Sequence, residues 1–583
     1  MHTINIKILT SEYRIYFPQI QDSKFFSFIN YFLRLYFDTN SLSRDIYNWL
    51  PPEDLLIGPE PGEGIDEAFL DDLCTRLQND NVGIIGVSVY VWNKVYFKIV
   101  CQEIKKRLPH IIIIAGGPEL DAHKDVDFFN KQPWYDYVVY GDGEKAFTDL
   151  LDHLAGKDVE LTNVVFNDGT VYPHSVFNDK ETLKKSPYLT YQDEIKIVVN
   201  KFRNDSYNRF GRYPTIIGVW ETTKGCPYAC SFCDWSSGLH NKVRFWGIKK
   251  DALPELERPA YQKELEFFAD LKFHMVQWSN PNVGLSPQDI DIVEYWCKLK
   301  ETHPTCPKSF ILQLSKVKKD VSHELYKKMI RVGLENKLKF DVQDLDPEVI
   351  AKLDRPEIPW SEHRVMIKEF IDEFPEVAGH FKSKINYIWG LPGQTLAHYD
   401  YNLVETTSLG FQTHYFYYEM LPNSPASDPE YIKKYQIQIE KVYVAHLQIP
   451  KNVTELSPSI LQTYFTEANL ITSTYSMSKR EWYTGIVKNY IYKYYFFGIM
   501  NRKVDKFLDN FYRYELLVND MYNHFLQTNI IAVHSIHIMN SGIYNSFRER
   551  MQQITDKIYL EPVFVKNNSL LPEDHSSLIP WNV

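Results

Sequence analysis

The sequence predicts an α/β protein built from three successive parts. Short apolar runs that fit buried strands alternate with helical stretches in the N-terminal part, which indicates a doubly wound parallel sheet. A second alternating region lies between about residues 214 and 428, and its six strand candidates predict a partial (β/α)6 barrel. After Asp428 the pattern changes to long helical runs, so we expect a helical C-terminal domain.

The changes of pattern divide the chain into five segments. The stretch PPEDLLIGPEPGEG, from Pro51 to Gly64, is rich in proline and glycine and is read as a loop. The predicted segments are an N-terminal extension over 1–65, a doubly wound domain over 66–160, a connector over 161–213, the partial barrel over 214–428 and the helical domain over 429–583.

Three strands are predicted in the doubly wound domain, in the stretches VGIIGVSVY, HIIIIAGGPE and YDYVVYGDGE. The helix between the first two should stop before Pro109, because proline cannot continue a helix. Ligands of such sheets bind beyond the carboxyl ends of the strands. Those ends carry Ser88–Tyr90, Gly116–Glu119 and Gly141–Glu144, so we expect these three loops to form a binding edge.

The barrel region contains the strand candidates TIIGVWETT, FHMVQWSN, SFILQLS, LKFDVQ, INYIWGLPG and HYFYYEMLP. One helix between them should begin at Ser286, because a serine side chain caps a helix and Pro287 and Asp289 favour its first turn. Two other helices should end near Gly333 and Gly410. Chemistry in α/β barrels collects at the carboxyl ends of the strands, so functional groups are expected there.

Composition and charge argue against several classes of protein. The net charge of −11 and the isoelectric point near 5.9 disfavour a phosphate-backbone partner, so no nucleic acid is expected. No run approaches the roughly 18 apolar residues of a membrane span, and the first residues lack the pattern of a secretion signal. We therefore expect a cytoplasmic protein, in which clustered cysteines indicate metal binding or catalysis.

The stretch TTKGCPYACSFCDW brings together three of the seven cysteines of the chain, Cys226, Cys230 and Cys233. They directly follow the first barrel strand. A structural zinc site needs a fourth ligand, which His240 or Cys297 could supply. A four-iron cluster also takes four cysteines as a rule. Three thiolates would leave one iron open to a substrate or cofactor.

The spacing C-x3-C-x2-C, with Phe232 before the last cysteine, resembles the radical S-adenosylmethionine superfamily. The stretch GLPGQT (Gly390–Thr395) at the fifth barrel strand is also characteristic of that superfamily. The resemblance implies a [4Fe-4S] cluster whose open iron chelates S-adenosylmethionine. It also implies that an electron from the cluster cleaves S-adenosylmethionine to methionine and a 5′-deoxyadenosyl radical.

The N-terminal loops resemble the cobalamin-binding Rossmann-like domain that precedes many enzymes of this superfamily. The matching stretches are SVYVWN, GGPE and YGDGEKAF, and LPNSPAS (Leu421–Ser427) resembles the same subgroup. The resemblance implies cobalamin as a further cofactor. The stretch D-x-H-x-x-G, whose histidine ligates cobalt in many such domains, is absent. A domain that has lost cobalamin therefore stays open as an alternative.

The resemblance also implies roles for individual residues. The cluster ligands would be Cys226, Cys230 and Cys233, with Phe232 beside the cluster and the adenine. The S-adenosylmethionine contacts would be Asn280, Asn282, Gln343, Arg355, Gly390 and Gly393. The cobalamin contacts would be Tyr90, Trp92, Gly116, Gly117, Gly141 and Gly143. The structural alternatives are a turn for the two asparagines, a surface ion pair for Arg355 and packing for Trp92 and Phe232. No catalytic side chain is predicted.

These motifs imply a cobalamin-dependent radical S-adenosylmethionine enzyme, and the main hypothesis is methylation of an unactivated carbon through methylcobalamin. A flavodoxin or ferredoxin would supply the electron. The substrate would be a small molecule or a peptide, recognised by the C-terminal domain. Two hypotheses stay open beside it. One is a radical enzyme that performs a non-methylating rearrangement or cyclisation on a vestigial cobalamin domain, and the other is a non-catalytic zinc or iron–sulfur protein.

Overall fold

Two units make up the chain. The first comprises Met1–Tyr228 and Cys233–Glu335, and the second comprises Ala229–Phe232 and Asn336–Val583. The structure is a computed structural model, and the residues that it describes are 3–10, 14–17, 20–54, 67–211, 213–236, 243–246, 258–315, 317, 319–334, 338–378, 383–445 and 465–498.

Strands and helices alternate along most of the described chain. The strands are β1 (Ile4–Thr10), β2 (Arg14–Phe17), β3 (Ile20–Phe26), β4 (Tyr47–Trp49), β5 (Glu53–Asp54), β6 (Val82–Ser88), β7 (Ile112–Gly116), β8 (Tyr137–Val139), β9 (Val164–Phe166), β10 (Thr215–Trp220), β11 (Thr223–Lys224), β12 (Arg244–Phe245), β13 (Met275–Trp278), β14 (Ser309–Ile311), β15 (Lys339–Gln343), β16 (Lys384–Trp389), β17 (Gln412–Tyr417), β18 (Gln438–Ala445) and β19 (Phe465–Ser473). The helices are α1 (Ile29–Asn40), α2 (Glu67–Asn79), α3 (Lys94–Arg107), α4 (Phe128–Lys131), α5 (Gly143–Leu154), α6 (Lys180–Leu183), α7 (Pro187–Thr190), α8 (Gln192–Phe210), α9 (Ala260–Asp270), α10 (Pro287–Thr302), α11 (Lys319–Arg331), α12 (Pro347–Ala351), α13 (Trp360–Glu373), α14 (Pro375–Ala378), α15 (Leu396–Ser408), α16 (Pro429–Lys434) and Lys479–Gly498.

The N-terminal sheet of the first unit has the strand order β4-β1-β6-β7-β8-β9, with β5 beside β1. Its strands run parallel except β9, which returns antiparallel to β8. Ile84, Ile114 and Val139 from three neighbouring strands pack in one buried cluster with Phe147 and Leu150 of α5. Apolar side chains on both a sheet and its crossover helix give the doubly wound architecture that the alternating pattern predicts.

Segment 1–65 contributes to this sheet instead of standing apart from it. The strands β6, β7 and β8 are the three predicted for the domain over 66–160, but β1, β4 and β5 pair into the same sheet. Ile6 and Ile8 of β1 are buried beside β6. The sheet therefore begins at Ile4 and extends beyond the predicted range, because β1 pairs with the backbone edge of β6 that β7 leaves free.

The second sheet of the first unit has the order β14-β13-β10-β3-β2. It holds the first three predicted barrel strands, β10, β13 and β14, in parallel pairing. Strand β3, from segment 1–65, pairs parallel with the free side of β10, and β2 pairs antiparallel with β3. The helix α10 begins with the predicted Ser286 cap, which forms a capping box with Asp289. Gly333, with φ = +70°, follows the end of α11 as predicted.

The second unit holds the last three predicted barrel strands in the order β15-β16-β17, all parallel. The helix α15 between β16 and β17 is followed by Gly410 at φ = +78°. All six strand candidates of the barrel region are therefore strands, separated by helices. Within the described residues, no helix combines the length and apolar composition that a membrane span requires.

One predicted helical run of the C-terminal region is wrong. Of the helical run predicted at 429–447, the described residues up to 445 are helical only in α16, and Gln436, at φ = +50°, interrupts the helical backbone. The strand β18 follows and pairs antiparallel with β19. Its alternation, with Ile439 exposed and Val442 buried, was hidden by the polar residues between them. The helical run predicted at 480–500 is confirmed over Lys479–Gly498, and the later run predicted at 503–527 lies outside the described residues.

Candidate functional site

The cysteine loop begins at the carboxyl end of β10. After β11, Gly225 adopts the left-handed backbone region at φ = +82° and leads into Cys226. Cys226 and Cys230 are 7% and 8% exposed, and Cys233 is half-buried. Cys226 and Cys233 belong to the first unit, and Cys230 belongs to the second. The described residues contain no group of three or more His, Cys, Asp or Glu side chains that could hold a metal ion, so ligation by the three thiols is a proposal.

The extra ligands considered for zinc do not strengthen that alternative. His240 lies outside the described residues. Cys297 lies in α10, where burial raises the pKa of its thiol to about 11. Its Sγ is 3.9 Å from the carbonyl oxygen of Lys328. The half-buried thiol of Cys297 therefore packs against the backbone of α11.

Asn280, directly after β13, holds the start of the cysteine loop. Its Oδ1 accepts hydrogen bonds from the backbone N–H groups of Thr222 at 3.0 Å and Thr223 at 2.9 Å. Its Nδ2 donates to the hydroxyl groups of the same two threonines at 2.7 and 3.1 Å. The amide therefore has four partners within the protein, which is all that it can take. This arrangement favours the structural alternative for Asn280 over a cofactor contact.

Asn282 instead faces the first cysteine. Its Nδ2 lies 3.2 Å from Cys226 Sγ. A cavity of about 200 Å³ lies beside this contact. Thr223, Gly225 and Pro227 of the cysteine loop line it together with Asn282, Phe245 of β12 and the first turn of α10. A donor amide on a cysteine sulfur beside a cavity is an arrangement that can serve a metal centre.

An aromatic pair stands in the loop after β6. The rings of Tyr90 and Trp92 stack 4.5 Å apart and within 5° of parallel. Asn93 fixes this loop, because its Oδ1 accepts from the N–H of Tyr90 at 2.7 Å and its Nδ2 donates to the carbonyl of Ser88 at 3.1 Å. The two predicted residues are therefore brought together, and they form one flat surface at the sheet edge.

The predicted glycines of the next two loops differ in what requires them. Gly117 has φ = +110°, and a Cβ there would lie 2.3 Å from the carbonyl oxygen of Val89. Gly141 has φ = +68°, and a Cβ there would lie 3.2 Å from Nδ2 of Asn163. Gly116 ends β7 and Gly143 begins α5, and neither has a positive φ. The protein's own packing therefore accounts for Gly117 without a cofactor.

His123, between β7 and β8, was not predicted to belong to this edge. Its ring stacks on Tyr140 with centroids 4.4 Å apart, and Tyr140 also lies near His174. Burial, together with the charges of Lys124 and His174, lowers the pKa of His123 to about 4, so its imidazole is neutral at pH 7. In the part of the chain that the structure describes, its buried Nδ1 has no hydrogen-bond partner. Such an atom is uncommon in a folded protein and suits a polar ligand group.

Gln343 ends β15 with a strained backbone. Its φ is +71°, a region that residues other than glycine rarely adopt, and the register of β15 shifts just before it. The side chain is buried, and its Oε1 has no hydrogen-bond partner among the described residues. Strain and an unsatisfied polar atom at one position are typical of ligand sites.

Arg355 forms a buried ion pair beside Phe232. Its Nε lies 2.7 Å from Glu357 Oε2, its Nη2 donates to the carbonyl of Asp341 at 2.7 Å, and its guanidinium carbon is 5.7 Å from the centre of the Phe232 ring. Burial acts to lower the pKa of Arg355, but Glu357 and Cys230 outweigh it and hold the pKa above its ordinary value. The expected ion pair is present, in the interior instead of on the surface.

The GLPGQT turn is held by its glutamine. Gly390 and Gly393 have φ values of +113° and +97°, and a Cβ on Gly390 would lie 3.1 Å from a backbone oxygen. Gln394 Oε1 accepts from the N–H groups of Gly390 at 3.0 Å and Leu391 at 2.8 Å, and its Nε2 donates to Asp344 at 2.6 Å. The two glycines shape the turn, and their contact with S-adenosylmethionine stays a prediction. Gln394, within the quoted motif, is the residue that the sequence analysis overlooked.

Four charged residues of the first unit, three of them buried and one half-buried, were also overlooked. Asp142 and Glu144 form ion pairs with Arg244 and Lys224, respectively. The available signals were the two acids on either side of Gly143 and the lysine two positions before Cys226. Neither signal indicates its partner, because the paired residues lie far apart in the sequence.

Residues 59–151 match the B12 binding domain family. This range contains the loops after β6, β7 and β8 with their aromatic pair and glycines. The predicted Rossmann-like cobalamin-binding domain is thereby confirmed as a domain of that family.

Two relatives cover much of the chain. This chain is 24% identical over 462 residues to the cobalamin-dependent radical SAM methyltransferase TokK of Streptomyces tokunonensis. The match covers 77% of this chain and 62% of TokK. It is 24% identical over 410 residues to the 2-(S-pantetheinyl)-carbapenam-3-carboxylate methyltransferase of Streptantibioticus cattleyicolor, covering 68% of this chain and 54% of that protein. The chain therefore spans less than two thirds of either relative.

Among solved structures, the chain is similar to the apo form of the cobalamin-dependent S-adenosylmethionine radical enzyme OxsB, with a TM-score of 0.51 and 13% identity over 95% of this chain and 79% of that one. This likeness confirms the predicted fold class. With the B12 binding domain and the two relatives, it also confirms the resemblance to the radical S-adenosylmethionine subgroup with an N-terminal cobalamin-binding domain.

Proposed function

We propose that the protein is a cobalamin-dependent radical S-adenosylmethionine enzyme that methylates an unactivated carbon. One observation carries this proposal: a loop with three cysteines follows β10 in a chain whose residues 59–151 match the B12 binding domain family. The two relatives described above are methyltransferases, which favours methylation among the radical reactions. We further propose a cytoplasmic location and an external electron donor of the flavodoxin or ferredoxin type.

The donor set of the cysteine loop fits an iron–sulfur cluster with one open iron. Cys226, Cys230 and Cys233 would supply three thiolates, and a fourth cysteine is not needed if S-adenosylmethionine takes the remaining iron. Asn282, 3.2 Å from Cys226 Sγ, would donate a hydrogen bond to a ligating sulfur. When bound, the cluster would supply the electron that cleaves S-adenosylmethionine, and cobalamin would carry the methyl group.

In the second unit, Gln343 is our candidate for holding S-adenosylmethionine. Its Oε1 is an acceptor without a partner among the described residues, so an ammonium or hydroxyl group of the ligand would satisfy it. Arg355 holds Phe232 and the backbone of Asp341, which keeps the cysteine loop and the end of β15 in fixed positions. Its guanidinium already pairs with Glu357, so we propose a positioning role for it.

At the edge formed by β6, β7 and β8, the described side chains fit cobalamin. The stacked Tyr90 and Trp92 present a flat apolar surface to a planar ring. The unsatisfied Nδ1 of neutral His123 would bond a polar group of the cofactor. These groups bind and orient, and none of them needs to move a proton.

The test is anaerobic reconstitution with iron, sulfide and hydroxocobalamin, followed by a strong reductant and S-adenosylmethionine with a deuterated methyl group. We expect both S-adenosylhomocysteine and 5′-deoxyadenosine in the wild-type reaction, and deuterated methyl in any product once a substrate is found. Cys226→Ala should abolish 5′-deoxyadenosine. The matched control is Cys306→Ala, which removes a thiol of similar burial in the same unit and should leave both products unchanged.

The products also separate the other hypotheses. Formation of 5′-deoxyadenosine without S-adenosylhomocysteine would contradict methylation and support a rearrangement or cyclisation. Absence of both products from a protein that retains its iron would contradict radical chemistry altogether and leave a metal-binding protein.

A further inference from the structure

Two acids and two cations pair beneath the sheet edge of the first unit. Asp142 and Glu144 lie on either side of Gly143, in the turn between β8 and α5. Lys224 of β11 and Arg244 of β12 are direct antiparallel partners in a two-stranded sheet, which is called the hairpin below although residues 225–243 separate its strands. Lys224 Nζ pairs with Glu144 Oε1, and Arg244 Nη1 pairs with Asp142 Oδ2. One turn is thus joined to one hairpin by two parallel ion pairs, here named the turn–hairpin clamp.

The clamp is buried. The side chains of Asp142 and Arg244 are 0% and 3% exposed, and those of Glu144 and Lys224 are 1% and 16% exposed. Phe177 adds backbone bonds to the same pair, since its N–H donates to Asp142 Oδ2 at 3.0 Å and its carbonyl accepts from Arg244 Nη1 at 2.5 Å. Removing one member of such a pair leaves an uncompensated charge in the interior.

Stability alone does not explain charges at these positions. Buried ion pairs add little to stability compared with apolar side chains of the same size, because desolvation offsets their attraction. Their specific gain is geometric: an ion pair with additional hydrogen bonds has one good arrangement, whereas apolar contacts tolerate sliding. The Asp142–Arg244 pair has such bonds through Phe177, and the Glu144–Lys224 pair joins the same two elements a second time, so the clamp fixes the turn and the hairpin in one relative position.

The two ends of the clamp lie in different functional loops. Asp142 and Glu144 belong to the GDGE turn, within the range that matches the B12 binding domain. Lys224 is two positions before Cys226, and Asn280 fixes the two threonines that lead into it. The clamp is thus a short ionic connection between the cobalamin edge and the cysteine loop within the first unit.

We propose that the turn–hairpin clamp sets the separation and orientation of cobalamin relative to the iron–sulfur cluster, with Glu144 and Lys224 as positioning residues. This inference rests on the proposed function, since it needs both cofactors to be bound. Neither residue contacts a reacting atom in this account. Their effect reaches the chemistry through the positions of the GDGE turn and of Cys226.

The experiment compares the wild type with the double variant Glu144→Gln with Lys224→Met, which removes both members of this pair. Lys224 also faces the buried Glu221, which keeps a hydrogen bond from Trp246 Nε1 at 2.8 Å in the variant. Both proteins are reconstituted with cluster and hydroxocobalamin and reduced to the states in which cobalt and cluster are paramagnetic. Electron paramagnetic resonance then measures the dipolar interaction between the two spins. We expect one well-defined interaction in the wild type and a broadened or shifted one in the variant, with unchanged iron and cobalt content.

Turnover provides a second readout. Misplacement of reacting groups by about 1 Å can cost on the order of a hundredfold in rate. We therefore expect S-adenosylhomocysteine formed per 5′-deoxyadenosine to fall at least about tenfold in the double variant while 5′-deoxyadenosine formation itself persists. Lys224→Arg keeps the charge and should retain both the spin interaction and the ratio.

The control is Lys184→Met, which breaks an exposed pair with Glu181 elsewhere in the first unit and should change nothing. An identical spin interaction in the wild type and the double variant would overturn the clamp inference and leave the proposed function intact. If the wild type retained no cobalt, the proposed function and this inference would both fail. If the double variant did not fold, two single variants would provide the same test. We would expect the spin interaction of the wild type in Lys224→Arg and an altered spin interaction in Lys224→Gln.

Discussion

Gly117 and Gln343 stand at corresponding places, one directly after a parallel strand and one at the last position of another. Both have a positive φ, +110° and +71°. At Gly117 the protein itself supplies the reason, because any Cβ would collide with the backbone of Val89. At Gln343 no described contact supplies one, and the side-chain Oε1 lacks a partner there.

The comparison separates residues that packing requires from residues that packing leaves unexplained. Asn280 and Glu264 belong with Gly117, because their polar atoms have partners within the protein. His123 belongs with Gln343, since each keeps a buried polar atom without a described partner. A motif glycine is therefore weaker support for a cofactor than a strained residue with an unsatisfied atom.

The largest effect is expected from Gly117→Ala. The new Cβ would lie 2.3 Å from one backbone atom of Val89 and 2.7 Å from another, and backbone atoms cannot move aside as a flexible side chain can. We expect the free energy of unfolding to fall by on the order of 3–5 kcal/mol, measured by denaturant titration. The control is Gly169→Ala, at φ = +89°, where an added Cβ would meet nothing within 4 Å. There the free energy of unfolding should fall only by the backbone strain of about 1–2 kcal/mol. Equal losses at the two glycines would contradict the steric account.

The next effect concerns Glu264, whose carboxylate accepts from Trp220 Nε1 at 2.8 Å and from the hydroxyl of Ser186. Burial raises the pKa of Glu264 from 4.5 to about 7. The folded state therefore binds the proton more tightly, and this contribution to stability is present at low pH and lost as the pH rises from 4.5 through 7. The expected loss is about 3 kcal/mol.

Glu264→Gln should remove this pH dependence. The difference in unfolding free energy between variant and wild type, measured at pH 5 and pH 8, should shift in favour of the variant at pH 8. A difference that does not change with pH would show that Glu264 keeps an ordinary pKa. Cofactor content should be the same in both proteins, because the carboxyl has partners within the protein.

Gln343→Gly tests a residue whose strain and unsatisfied polar atom are not explained by packing. Glycine relieves the positive φ, so the free energy of unfolding should change by no more than about 1 kcal/mol. Loss of one hydrogen bond to a charged or polar ligand group should weaken S-adenosylmethionine binding about tenfold, measured on the reconstituted protein. Lys272→Gly is the matched control, because Lys272 is exposed and also has a positive φ of 55°. The affinity of the Lys272→Gly variant for S-adenosylmethionine should equal that of the wild type.

The smallest effect is expected at Asn282, whose Nδ2 lies 3.2 Å from Cys226 Sγ. A hydrogen bond to a ligating sulfur stabilises the reduced cluster. Asn282→Ala should therefore lower the reduction potential of the cluster while iron content stays constant, as measured by potentiometric titration. Asn130→Ala, at an exposed position of α4, is the control. A potential that is unchanged in the Asn282 variant would return Asn282 to the structural group with Asn280.

Much of the fold follows from local signals in the sequence. The six barrel strands, the cap at Ser286 and the helix ends at Gly333 and Gly410 are encoded by residues within a few positions of each element. The strands β1 and β3 were missed because their pairing partners, β6 and β10, are far along the chain. The strand β18 was read as a helix because only its antiparallel partner β19 selects the extended form.

The residues of the site also divide into those visible in short motifs and those whose roles depend on distant partners. The three cysteines and the GLPGQT turn are visible as short motifs, so their positions at strand ends could be predicted. The roles of Asn280 and Lys224 could not be predicted, because each depends on a partner in another segment. Asn280 bonds to Thr222, and Lys224 pairs with Glu144. The unsatisfied nitrogen of His123 is a property of the folded edge alone. Sequence patterns thus identified the chemistry, and the fold was needed to sort its residues.

The most direct test of the central claim is the metal content of the reconstituted wild-type protein. The protein would be incubated without oxygen with iron, sulfide and hydroxocobalamin, desalted, and examined for iron, cobalt and its absorption spectrum. We predict about four irons and about one cobalt per chain, with the spectrum of bound cobalamin. About four irons without cobalt would contradict cobalamin dependence and leave a radical S-adenosylmethionine enzyme on a vestigial Rossmann-like domain.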